Sequence, residues 1–270
     1  MTAGLGTTSP SAADFARLAA SQPVVAVTRR LLADAETPVG VYRKLAGGRP
    51  GTFLLESAEQ GRQWSRWSFV GVRSAGVLTE RDGEALWVGE GLPTTSRDPL
   101  EAVREAVELL RSPKGPDDPP LTGGLVGYLG YDVVRRMERL PSTAPDPLGM
   151  PELAMMLVTD LAVLDHGDGT VLLVANVLPG GSYDDAVGRL DAMATALAQP
   201  APGTVSSVDL DRLPEVVRQT SPEQYEAAVE AAKEHVRAGD VFQVVLSQRF
   251  EVRTDVDALD LYRVLRATNP

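Results

Sequence analysis

The sequence has 270 residues, a formal net charge of -11, no cysteine, 43% hydrophobic residues and 23% charged residues. These values are typical of a soluble globular protein with one or two domains, and they exclude disulfide bonds and thiolate metal sites. The excess of acidic residues argues against nucleic acid or an anionic membrane as a partner. The sequence lacks both a signal-peptide pattern and an apolar run of about 18 residues, so we predict a cytoplasmic location.

The N-terminal third of the sequence predicts antiparallel strands and a short helix. Residues 1–23 form an extension that we expect to be partly flexible, and residues 23–32 have strand composition. Thr37 and Pro38 supply an N-cap and a proline at the first helical position, so a helix begins there. Short apolar runs separated by glycine or charged turns then predict strands at 51–57, 67–72, 76–80 and 85–88.

The middle of the sequence adds helices and a hairpin. Asp98 precedes a proline and a helix with apolar residues at helical spacing. Two strands, at 154–165 and 171–177, are joined by a turn that contains Asp-Gly, which favours a β-hairpin. Serine N-caps predict two further helices, which begin after Ser182 and Ser221.

A linker divides the sequence. Residues 199–213 are rich in Pro, Gly and Ser, so we predict one domain at 24–198 and the beginning of a second domain at 214–270. In the second part, an apolar run at 241–248 predicts a buried strand between two helices. Because these elements do not close a core by themselves, we expect the natural chain to continue beyond Pro270.

General catalytic motifs are missing from the sequence, which contains no HExxH, GxSxG, phosphate-binding GK[ST] or CxxC pattern. The two histidines, His166 and His235, stand alone, and a solvated or helix-terminal role is the simpler interpretation. The glycine-rich segment 123–134 lacks the lysine of a phosphate-binding loop. Its glycines are better explained by close packing of neighbouring strands or by β-bulges, both of which favour a residue without a side chain.

Two polar features admit both a structural and a functional interpretation. The strand at 51–57 ends in Leu55, Glu56 and Ser57, where the polar pair either caps the strand or contacts a ligand with an ammonium group. Gln243 interrupts the apolar run at 241–248, and a buried amide must be hydrogen-bonded. The Gln243 amide is therefore either a structural bridge between backbone groups or a functional group. The residues alone do not decide between these two interpretations.

Three segments occur in the order found in anthranilate synthase component I, and the chain resembles that family from about residue 24 onward. They are GTFLLESAEQGRQWSRWSFVGV, GGLVGYLGYD and SPEQYEAAVEAAKEHVRAGDVFQVVLSQRFEV. The resemblance implies the α+β fold of chorismate-utilising enzymes, with antiparallel β-sheets flanked by helices. It also implies that residues 24–198 are the N-terminal domain of component I, that residues 214–270 begin the chorismate-binding catalytic domain, and that the fold is incomplete at the C-terminus of this sequence.

The resemblance implies a lyase of tryptophan biosynthesis that converts chorismate and ammonia to anthranilate and pyruvate, with Mg²⁺ as cofactor. A glutamine amidotransferase subunit, component II, would supply the ammonia, and L-tryptophan would inhibit at an allosteric site that includes Leu55, Glu56 and Ser57. Water-using relatives carry a lysine base at the position of Gln243. Glutamine cannot accept a proton at neutral pH, so Gln243 as a catalytic residue fits amination rather than hydroxylation.

Other functions remain open at this stage. Aminodeoxychorismate synthase component I shares the implied fold and the glutamine, and its discriminating residues would lie beyond Pro270. We expect the Mg²⁺ ligands beyond that residue too, name no metal ligand in this sequence, and predict that the 270-residue chain alone is inactive. Two alternatives are not enzymes. One is a non-catalytic tryptophan-binding fragment, and the other is a structural subunit that docks an amidotransferase.

Overall fold

A computed structural model describes residues 4–56, 66–116, 118–141, 145–201, 205, 207–209 and 214–269. The chain divides into two compact units, Met1–Pro202 and Gly203–Pro270. The division falls inside the segment 199–213. The assignment of the two parts to an N-terminal domain and the beginning of a catalytic domain stays a prediction.

The first unit is built on one eight-stranded sheet in the order β1-β2-β8-β7-β4-β3, with β5 paired to β4 and β6 paired to β7. Every pair in this sheet is antiparallel. The strands are β1 (Thr8–Ser9), β2 (Val25–Leu32), β3 (Phe53–Leu55), β4 (Trp67–Arg81), β5 (Glu84–Gly89), β6 (Gly124–Leu129), β7 (Leu153–Asp165) and β8 (Thr170–Val177).

Helices begin where the sequence offers side-chain caps. Thr37, Asp98 and Ser182 each accept a hydrogen bond from a backbone N–H of the first helical turn. The helices of the first unit are α1 (Ala12–Ala19), α2 (Pro38–Leu45), α3 (Pro99–Leu109) and α4 (Tyr183–Ala198). The prediction of an α+β protein with an antiparallel sheet flanked by helices is therefore confirmed.

The main core lies between α2, α4 and one face of the sheet. Alternate residues of β7 and β8 point to this face, so that Ala162 and Leu173 join Val41 of α2 and Leu190 of α4 in one buried cluster. The intervening residues belong to a second cluster on the other face, which includes Val163 and contacts Phe69 of β4. The strand period of two residues thus gives β7 and β8 apolar side chains on both faces.

The second unit contains the predicted helix α5 (Pro222–Ala238) and a final helix, α6 (Ala258–Thr268). The side chains of Ser221 and Gln224 form a reciprocal capping box at the start of α5, and Gly239 ends it with a left-handed φ of 81°. Two short strands, β9 (Val216–Arg218) and β10 (Phe250–Val252), pair antiparallel.

The buried strand predicted at 241–248 is wrong. The segment has no regular secondary structure, and Phe242 and Val245 are 96% and 81% exposed. A strand requires a hydrogen-bonded neighbour, and the described part of this unit offers only the β9–β10 pair, which lies outside the segment. Gln243 is accordingly exposed, so the argument that it is a buried amide fails for this chain.

Two smaller differences concern strand boundaries. The strands predicted at 67–72 and 76–80 are one strand, β4, because register shifts near Arg73 bend it without a turn. The segment 123–134 is a strand only to Leu129, and a 3-10 helix follows at Tyr131–Arg136. The helices that the described residues form are all too short or too polar to cross a membrane.

Candidate functional site

The predicted ligand-binding residues lie at an edge of the large sheet. Leu55 is the last residue of β3, which is the final strand in the sheet order, and it pairs with Phe69 of β4. Its side chain is 45% exposed. Glu56 follows directly and is half-buried, whereas Ser57 lies outside the described residues.

A glycine brings β3 close to β4 at this edge. The ring of Phe53 lies over Gly71, where a Cβ atom would come within 2.2 Å of the phenylalanine Cε1. Only a residue without a side chain permits this approach. This contact holds β3 against β4 just before Leu55 and Glu56. It therefore fixes the position of these two candidate residues at the edge of the sheet.

Polar contacts that the sequence did not predict lie on β4, the strand that pairs with β3, and one of them involves His166, which the sequence showed only as a lone histidine. Ser68 of β4 is buried, and its Oγ lies 2.8 Å from Nε2 of His166, which is exposed. Arg66 donates from Nε and Nη2 to the two carboxylate oxygens of Asp165, at 2.8 and 2.6 Å. The guanidinium also lies 4.5 Å from the centroid of the Trp67 ring.

The Arg66–Asp165 pair has a clear electrostatic consequence. Burial opposes ionisation of Asp165, but hydrogen bonds from Arg66 and from the backbone N–H of Gly167 outweigh it and lower the pKa of the carboxyl. The aspartate is therefore a fixed anion that holds the start of β4 against the end of β7. No local motif identifies this pair, since Arg66 and Asp165 are 99 residues apart and meet only through the β4–β7 register.

Gln243, the other predicted site residue, belongs to the second unit. It lies in the irregular, exposed segment that precedes β10. Within the described ranges, no three His, Asp or Glu side chains lie close enough together to hold a metal ion.

Comparisons with known proteins decide the family. A model of the family described as chorismate binding enzyme matches residues 51–270. The chain belongs to the chorismate binding enzyme family. The resemblance to anthranilate synthase component I is thereby confirmed at the level of the family.

Individual members of the family agree with this assignment. The chain is 50% identical to anthranilate synthase component 1 of Mycobacterium tuberculosis, over 95% of this chain and 52% of that protein. It is 45% identical to the protein of the same name from Arthrobacter globiformis, over 98% and 52%. The chain spans about half the length of the curated relatives it matches.

A solved structure confirms the fold. The crystal structure of anthranilate synthase component I from Streptococcus pneumoniae superposes with a TM-score of 0.66 and 27% sequence identity. The alignment covers 88% of this chain and 52% of that one. The chain therefore has the α+β fold of chorismate-utilising enzymes, as the sequence predicts.

Proposed function

We propose that this chain functions in the large, chorismate-using component of an anthranilate synthase. The reaction would convert chorismate and ammonia to anthranilate, pyruvate and water in the cytoplasm. The observation that carries the proposal is the 50% identity, over 95% of this chain, to a relative named anthranilate synthase component 1. A partner amidotransferase would release the ammonia from glutamine, and Mg²⁺ would be required as cofactor.

Gln243 supports amination within this proposal. Water needs a base to become a strong nucleophile, whereas ammonia already has a free electron pair. A glutamine amide can hydrogen-bond but cannot take up a proton at neutral pH. The Gln243 side chain is exposed in this chain. Its proposed role therefore rests on the family resemblance of segment 241–248.

Feedback inhibition by L-tryptophan is the proposed role of the β3 edge. Leu55 offers an exposed apolar side chain and Glu56 offers a carboxylate for an ammonium group. Among the described residues, no strand pairs with the outer edge of β3. Ser57 would add a hydroxyl contact to the bound amino acid.

A chimera tests the proposed activity. Joining this chain to the remaining C-terminal half of the Mycobacterium tuberculosis relative should yield an enzyme that forms fluorescent anthranilate from chorismate, ammonium and Mg²⁺. L-tryptophan should suppress the signal, and glutamine should replace ammonium only when an amidotransferase subunit is added. A folded chimera that consumes chorismate without forming anthranilate would contradict the proposal.

Ser57→Ala should weaken inhibition of the chimera by L-tryptophan by about tenfold, which corresponds to the loss of one hydrogen bond to a charged ligand. The uninhibited rate should stay unchanged, because the site is allosteric. The matched control is Ser21→Ala, which removes an exposed hydroxyl that follows α1 and donates to the Leu18 carbonyl. Equal inhibition constants for the two variants would remove Ser57 from the site.

Calorimetry with L-tryptophan measures whether the 270-residue chain binds the amino acid without the rest of the enzyme. Weak or undetectable binding, with no anthranilate formed, is expected if the site and the catalytic centre need residues from the rest of the enzyme. Micromolar binding without catalysis would instead favour a tryptophan-sensing module, and anthranilate formation would overturn the predicted inactivity.

A further inference from the structure

A cationic cleft of about 510 Å³ lies on the helical side of the first unit. Three arginines from three separate elements line it: Arg49 after α2, Arg73 on β4 and Arg189 on α4. One carboxylate, Asp160 of β7, lies among the lining residues. Positive charge gathered in this way is unexpected on a chain with a net charge of -11.

The floor of the cleft is a buried ion pair. The side chain of Asp160 is 5% exposed, and it pairs with Nη1 of Arg189, whose side chain is 15% exposed. The other donors of Arg189 are also occupied, since Nε bonds Asp185 at 2.9 Å and Nη2 bonds the Asn176 carbonyl at 3.0 Å. Arg189 is thus immobilised, and Asp160 is already matched by one positive charge.

A bulge in β4 places Arg73 over this pair. Arg73 is the direct cross-strand partner of Asp160, and the β4–β7 register shifts on both sides of it. Directly opposed residues of an antiparallel pair share a face, so the guanidinium enters the same cleft. Its backbone carbonyl accepts a hydrogen bond of 3.3 Å from Oγ1 of Thr159, which anchors the bulge.

Arg49 is held in place from the other side. Its Nη2 donates to the carbonyl of Leu45 at 2.6 Å, near the end of α2. Across the described ranges, no carboxylate oxygen lies within ion-pair distance of Arg49 or Arg73. Two further acidic residues, Asp185 and Glu90, line a neighbouring cavity that shares Arg73 and Arg189. The three arginines of the cleft are matched by Asp160 and by Asp185, which both pair with Arg189, so one positive charge remains in excess at the cleft.

We propose that Arg49 and Arg73, supported by the Arg189–Asp160 pair, form a binding site for a small oxyanion. A guanidinium presents planar pairs of N–H donors that match the oxygens of a phosphate or a carboxylate. Arg49 and Arg73 line the same space of about 510 Å³, which is large enough for the anionic group of a metabolite. Binding would connect the end of α2 to β4 and α4, and so stabilise the helical layer on the sheet.

Thermal unfolding of the chain in inorganic phosphate tests the site, with malonate as the carboxylate probe and sodium chloride at matched ionic strength as the reference. The unfolding midpoint should rise in a saturable way with at least one of the two anions, and the more effective anion identifies the ligand class. Arg73→Gln and Arg49→Gln should each weaken the apparent affinity by about tenfold or more. Arg73→Lys keeps the positive charge but lacks the guanidinium. If this variant folds and still binds the anion more weakly, the loss is due to the guanidinium and not to a failure to fold.

The control is Arg104→Gln, which removes an exposed arginine of α3 that pairs with Glu101 one turn away. It should retain the response of the unsubstituted chain. The proposal is overturned if neither anion stabilises the chain more than chloride does. It is equally overturned if the Arg73, Arg49 and Arg104 variants all respond alike.

Discussion

Gly127→Ala should lower the free energy of unfolding by about 3 kcal/mol or more. Gly127 lies in β6, and a Cβ atom there would come within 1.8 Å of the carbonyl oxygen of Ala154 in β7. The obstacle is backbone, so no rotation of a side chain can relieve it, and β6 must separate from the sheet. Urea unfolding monitored by circular dichroism measures the difference.

Gly188→Ala is the matched control for this substitution. Gly188 lies within α4, is exposed, and has no atom within 4 Å of the position that a Cβ would take. Alanine there should raise the free energy of unfolding by about 1 kcal/mol, because glycine is a poor helix former. If Gly127→Ala were as stable as the unsubstituted chain, the close approach of β6 to β7 would be wrong.

Asp160→Asn should change the pH dependence of stability. Burial raises the pKa of Asp160 to about 6, although the nearby Arg189 and Arg73 act in the opposite direction. Because this folded-state pKa lies above the usual value of 3.8, the folded chain holds a proton that the unfolded chain releases between these values. The contribution of this group to stability is therefore complete below about pH 4 and is lost as the pH rises through about 6.

The asparagine variant cannot titrate at this position. Between pH 4 and pH 7, its free energy of unfolding should therefore rise by about 2 kcal/mol relative to that of the unsubstituted chain, so the variant becomes relatively more stable. Urea unfolding of both proteins at these two pH values gives the difference. Gly188→Ala alters no titratable group, so its free energy of unfolding should differ from that of the unsubstituted chain by the same amount at both pH values. A change of the opposite sign would mean that Arg189 and Arg73 outweigh burial and keep Asp160 ionised.

Local signals explain which parts of the fold could be predicted. The helices that begin after Thr37, Ser182 and Ser221 depend on caps whose donors and acceptors lie within four residues, so the sequence contains the whole interaction. The β7–β8 hairpin likewise follows from two apolar runs and a short Asp-Gly turn. Boundaries of this kind were predicted to within one or two residues.

Features that depend on distant partners could not be predicted. The apolar run at 241–248 has the composition of a buried strand, but strand formation depends on a neighbour that segment composition does not reveal. The register shifts that join two predicted strands into β4 depend on packing against β7. These shifts also place Arg73 opposite Asp160, so the arginine cleft has no sequence signature.

The candidate site was predictable only in part. The family resemblance selects Leu55 and Glu56, and the structure places them at the end of β3, the last strand in the order of the large sheet. The adjacent contact between Ser68 and His166 joins residues 98 positions apart, so neither periodicity nor a motif predicts it. The roles of Leu55, Glu56, Ser57 and Gln243 all stay predictions that rest on the resemblance.

The most direct test of the proposed function is a product balance for the chimera with the Mycobacterium tuberculosis C-terminal half. Incubation with chorismate, ammonium and Mg²⁺ should release anthranilate and pyruvate in equal amounts, since both arise from one chorismate. An aminated chorismate formed without pyruvate would contradict the proposal, because this chain would then fail to support the anthranilate-forming chemistry of the half to which it is joined. A hydroxylated product would contradict the assignment of Gln243 to amination.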